Sequence, residues 1–62
     1  MNAKDILKIL KANGWEVLRQ EGSHVRLGKG GARATVPVHG NRDVKPGTLA
    51  AIERQTGLKL KQ

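Results

Sequence analysis

The chain has 62 residues, a net charge of +7 from 12 Lys and Arg against 5 Asp and Glu, no cysteine, and Trp15 as its only aromatic. That is one small domain over residues 1–62, with no room for a second, and a core that buries only about 60% of the surface its unfolded chain exposes. Disulfides and cysteine-based zinc sites are excluded, a single aromatic argues against base-stacking binders, and the basic balance implies a polyanionic partner, most simply nucleic acid.

Asn2 is a good N-cap, with Asp5 near the positive end of the helix it opens. Ala3, Ile6, Leu7 and Leu10 recur at helical spacing, Lys4, Lys8 and Lys11 take the outer face, and Gly14 is a natural stop. A first helix over about 3–13 follows. Residues 15–20 read as a strand, Glu21-Gly22 as a turn and residues 23–27 as a second, alternating strand. Gly28-Lys29-Gly30-Gly31 reads as a hairpin loop. It is not a phosphate-binding P-loop, since no Lys followed by Ser or Thr closes it. Residues 32–38 alternate again, and Pro37 places the end of that strand there or puts it on a sheet edge. His39 to Lys45 is a polar loop. Pro46 suits the first turn of a second helix, Leu49 and Ile52 give it an apolar face, and Gly57 ends it, with Leu58 folding back and Lys59 to Gln62 forming a basic tail. The order is α-β-β-β-α, an α+β domain with a three-stranded antiparallel sheet and both helices on one face.

The second and third strands carry the chemistry. A loop over residues 28–31 sets Arg26 opposite Arg33 and His24 opposite Thr35. Val25, Leu27, Ala34, Val36 and Val38 then face the helices, while His24, Arg26, Arg33, Thr35 and His39 face away. Like charges directly opposite on a sheet are destabilising, so the two arginines form a site whose cost a bound phosphate relieves. His24, at a strand start beside a turn, is a candidate general acid or base; His39 could be a second acid or base, a substrate contact or a plain loop residue, the last two being favoured. Lys29 touches phosphate at most. The histidines lack metal-ligand spacing, and no metal or cofactor is expected. Five cations against Asp43 give residues 23–45 a net charge of +4, the largest local excess in the chain. No apolar run is long enough to span a membrane, and the polar N-terminus has no signal-peptide pattern, so a cytoplasmic location is expected.

Several short pieces, in this order, resemble the HicA toxin family over about residues 3–58. They are Lys4-Asp5-Ile6-Leu7 and the helix end at Gly14-Trp15, then Gly22-Ser23-His24, then Val36-Pro37-Val38-His39, then Pro46-Gly47-Thr48-Leu49 with Ile52 and Gly57-Leu58. The resemblance implies a double-stranded-RNA-binding-domain-like fold and a toxin that cleaves mRNA without a metal. It implies His24 as the catalytic residue, and a HicB-type antitoxin that covers the active face. Ser23, Arg26, Lys29, Arg33, Thr35 and His39 are the expected RNA contacts. The chain is expected to be a monomer alone and part of a larger assembly with its antitoxin. A non-catalytic double-stranded RNA-binding module would keep the fold and charge without needing His24. A helix-turn-helix DNA binder would need two adjacent helices, which three strands separate here.

Overall fold

The computed structural model describes residues 1–60. The elements run α1 (Ala3–Ala12), β1 (Glu16–Glu21), β2 (His24–Lys29), β3 (Ala32–Pro37) and α2 (Pro46–Thr56), with the strands in the order β1-β2-β3 and both pairings antiparallel. The expected α-β-β-β-α order is the observed one. Asn2 caps α1 by accepting the Asp5 amide at 3.0 Å. Gly57 ends α2 in the left-handed region.

One cluster forms the core. Ile6 and Leu10 of α1 and Ile52 of α2 meet Val25, Leu27, Ala34 and Val36 from the inner face of the sheet, all at 4% exposure or less. Leu7, Val38, Leu49 and Leu58 pack around its margin half-buried. Two expectations at its edges are corrected. Trp15 precedes β1 instead of opening it: its amide bonds Leu10 O at 3.0 Å, folding the chain back over the end of α1, and its ring joins the core at 4% exposure. Leu58 packs back against the core as expected, but the basic tail expected from Lys59 onward does not start there. Leu60 is 2% exposed within the core, and its amide donates to Glu53 Oε2 at 2.8 Å. Lys61 and Gln62, the rest of the expected tail, lie outside the described residues.

The register between β2 and β3 also differs from expectation. The loop is the two residues Gly30 and Gly31, not four, so Lys29 pairs with Ala32, Gly28 with Arg33, Leu27 with Ala34, Arg26 with Thr35, Val25 with Val36 and His24 with Pro37. Gly30 carries φ +56°, which suits glycine at the first central position of a two-residue hairpin turn. The shift from the expected register is two residues, an even number, so every side chain keeps its face. Gly28 stays in the ladder opposite Arg33, and its outer side is occupied. A Cβ there would lie 2.9 Å from Leu18 Cδ1 and 3.1 Å from Arg33 Nη1.

β1 is an edge strand with all six residues exposed. Its pairing with β2 is interrupted between Val17 and Arg19 by a bulge. Leu18 thereby lies across the outer side of Gly28, while Arg19 comes opposite Arg26.

Candidate functional site

The outer face of the sheet is arranged in rows, because side chains two apart on a strand share a face and sit about 7 Å apart. The first row is Glu21, His24 and Pro37; the second is Arg19, Arg26 and Thr35; the third sets Gly28 between Glu16 and Arg33. The expected Arg26–Arg33 pair is therefore not formed. Arg26 faces Thr35 on one side and Arg19 on the other, and the like-charge pair of this sheet is Arg19–Arg26. Arg19 Nη2 also lies 3.4 Å from Glu21 Oε1, an exposed ion pair of small energetic weight. Arg33 folds along the hairpin, its Nη1 donating to Gly30 O at 3.1 Å and Ala32 O at 2.8 Å. Its remaining donors are left for an anion. Lys29, one step further along β2, points the other way, its side chain lying over Gly14 at the end of α1, so it does not share the outer face with Arg33.

The first row opens into a groove of about 560 Å³ between the sheet end and the first turn of α2. His24, Thr35 and Pro37 line it from the strands; His39, Arg42, Asp43, Val44, Lys45 and Thr48 line it from the loop and α2. His24 is exposed at the start of β2, directly after the Gly22-Ser23 turn. Ser23 itself is half-buried and uses its carbonyl to accept the Val38 amide at 2.6 Å. That bond carries the β2–β3 ladder one step past the end of β3. Val38 turns in against the core and His39, next in the alternation, is exposed in the groove.

The loop that follows is held at three places. Arg42 N–H bonds His39 O at 3.2 Å, Val44 N–H bonds Met1 O at 2.9 Å, and an isolated bridge joins Asn2 to Asp43. Lys45 then stands at the N-cap of α2, its side chain making no capping bond, with Pro46 starting the helix. Two cations, Arg42 and Lys45, thus face the groove with one carboxylate, Asp43, whose Oδ1 lies 3.3 Å from the Met1 amine.

Of the residues expected at the site, His24, Thr35 and His39 share the groove, and Arg26 is in the adjoining row. Arg33 and Lys29 lie at the other end of the sheet, and Ser23 shapes the turn. Arg42, Lys45 and Thr48 are additions of the structure. For Arg42 and Lys45 the sequence signal was the charge excess over residues 23–45; Thr48 had no charge signal. Among the described residues, no three His, Cys, Asp or Glu side chains are grouped so as to hold a metal ion, and no helix is long and apolar enough to cross a membrane.

The comparisons with known proteins fit this arrangement. A search of curated proteins and a search of solved structures gave no match. Residues 3–58 match the family described as HicA toxin of bacterial toxin–antitoxin systems. That stretch takes in every element of the fold, the outer face and the whole groove, and the chain belongs to the HicA toxin family.

Proposed function

We propose that this toxin is a metal-independent endoribonuclease that cleaves mRNA at the groove, with His24 as its catalytic residue, and that a HicB-type antitoxin neutralises it by covering the same face. The observation that carries the reading is the gathering of two imidazoles and two cations, His24, His39, Arg42 and Lys45, in one groove at the end of a basic sheet face. RNA cleavage without a metal needs few parts. The ribose 2′-hydroxyl is the nucleophile, a base takes its proton, an acid protonates the leaving 5′-oxygen, and cations stabilise the charge on the phosphorus oxygens.

In this reading His24 makes one of the proton transfers. Arg42 and Lys45 hold the non-bridging oxygens of the scissile phosphate, and Thr35, Ser23 and His39 contact the nucleotides beside it. Arg26 with Arg19, then Arg33, take successive phosphates along the face. The step between rows, about 7 Å, is close to the separation of adjacent phosphates on an RNA strand.

The test is cleavage of a defined mRNA with chelator present, wild type against His24→Ala. The expected result is a 2′,3′-cyclic phosphate product from the wild type and none from the variant. Retained RNA affinity and an unchanged far-ultraviolet circular dichroism spectrum would show that the variant is folded. A folded His24→Ala protein that still cuts refutes the catalytic assignment; a wild type that binds RNA and never cuts it favours a binding module.

A further inference from the structure

We propose that His24 and His39 divide the two proton transfers of the cleavage between them, His39 being the second proton carrier of the site. The inference rests on the ribonuclease reading above and adds a residue whose part there is only contact with substrate.

The geometry is that of a diagonal cross-strand pair. His24 is opposite Pro37, and His39 is two residues beyond Pro37 on the same side of the chain. Diagonal neighbours of this kind have backbones roughly 7–8 Å apart. The bond from Val38 N–H to Ser23 O holds the chain in strand register up to the residue before His39. Both side chains are exposed and line one groove of about 560 Å³, which has room for a phosphodiester. Proton removal and proton donation in this reaction occur at two oxygens on opposite sides of phosphorus. Two groups that bracket the phosphate are therefore needed, and among the described residues no other imidazole lines the groove. Its remaining charged residues are Arg42 and Lys45, suited to the phosphate oxygens, and Asp43. Glu21 faces His24 from β1 but is paired with Arg19.

The step balances within the RNA and the two rings. One imidazole takes the proton of the 2′-hydroxyl as its oxygen bonds to phosphorus. The bond from phosphorus to the 5′-oxygen breaks, and the second ring, entering as imidazolium, gives its proton to that oxygen. The products are a 2′,3′-cyclic phosphate and a 5′-hydroxyl. The rings end with their protonation states exchanged and reset with solvent.

The experiment uses the whole toxin and two RNA substrates of one sequence, one natural and one with sulfur replacing the bridging 5′-oxygen at the cleaved bond. A thiolate leaves without protonation, so the sulfur substrate dispenses with the acid alone. On natural RNA, His39→Ala is expected to lower kcat by roughly 10²- to 10⁴-fold with little change in KM, and His39→Asn, which keeps a hydrogen-bonding side chain, to do the same. On the sulfur RNA, one of His24→Ala and His39→Ala is expected to recover most of the wild-type rate while the other stays inactive; the one that recovers is the donor. The proposal is overturned if folded His39→Ala raises KM and leaves kcat intact, if His39→Asn is active, or if the sulfur substrate rescues neither variant. Loss of His24 alone abolishing cleavage, with His39 dispensable, would sink this inference and leave the ribonuclease reading standing.

Discussion

Replacing Arg26 tests the register and the purpose of the outer face together. Arg26 and Arg19 are directly opposite on neighbouring strands, and like charges so placed cost roughly 0.2–1 kcal/mol. The exposed Glu21 carboxylate 3.4 Å from Arg19 offsets part of that repulsion, which places the value near the lower half of the range, about 0.2–0.5 kcal/mol. Arg26→Gln keeps most of the aliphatic stem and removes the charge, so weakened packing does not obscure the result. It is expected to raise the melting temperature by about 1–4 °C, given about 4–8 °C per kcal/mol for a domain of this size. The gain should be largest at low ionic strength and vanish near 1 M salt, where the screening length is about 3 Å. A cycle with Arg19→Gln should show that the double variant gains less than the two single gains combined. The corresponding cycle with Arg33→Gln should be additive, since Arg33 faces Gly28. RNA affinity, measured on a His24→Ala background to prevent cleavage, should move the other way. For every phosphate that the protein no longer neutralises, the slope of log affinity against log salt falls by about 0.7 on single strands. Stability and binding of opposite sign mark a charge pair kept for its ligand. Coupling between Arg26 and Arg33 in place of Arg19, or a loss of more than about 1 kcal/mol on replacing Arg26, would refute the pairing.

Leu60→Ala should destabilise the domain by about 2–5 kcal/mol, as for other fully buried leucines; Lys59→Ala should change stability by under about 0.5 kcal/mol, and urea melts giving equal midpoints for the two would return Lys59 and Leu60 to the status of a tail. Arg42→Ala and Lys45→Ala should each slow cleavage without shifting the thermal midpoint, as Arg42 is exposed and the Lys45 side chain makes no capping bond; unchanged kcat and KM in both variants would remove them from the site. Association with the antitoxin should slow as salt rises and should slow further in Arg26→Gln, since an acidic partner is steered to the basic face; an association rate indifferent to salt, or amide protection confined to α1, would place the partner elsewhere.

The parts of this fold legible in the sequence are those with a period. The stripe of Ile6 and Leu10 and the alternation of Val25, Leu27, Ala34 and Val36 identify the core whichever hairpin register is chosen, since a two-residue shift leaves each side chain on its face. The register itself depended on which glycines of Gly28 to Gly31 form the turn. The turn falls at Gly30-Gly31 and leaves Gly28 in the strand, where Leu18, carried across the face by the β1 bulge, lies beside it. A Gly-Gly pair between alternating strands signals a two-residue turn, but three glycines within residues 28–31 also admit the longer loop. Leu60 was missed because the alternation Leu58-Lys59-Leu60 is only one repeat long, too short to set against two lysines. In the groove, the alternation correctly put His24, Thr35 and His39 on one face, whereas Arg42 and Lys45 sit in a loop without repeat. They reach the groove because backbone bonds to Met1 and His39 fold that loop back.

A division of labour follows from the size of the domain. With so few residues there is one sheet and one core, and both helices are spent on covering a single sheet face. The other face is left to solvent, and buried polar or charged residues are absent among those described. Packing energy therefore lies almost wholly on one side of the sheet and ligand chemistry on the other. The backbone of β2 and β3 links them, because residues alternating with core valines are the ones that present His24, Arg26 and Thr35. Outward substitutions can change what the face binds at little cost to folding. Inward ones, such as at Val25 or Val36, must disturb the site as well, since each anchors the strand position from which a neighbouring functional side chain projects.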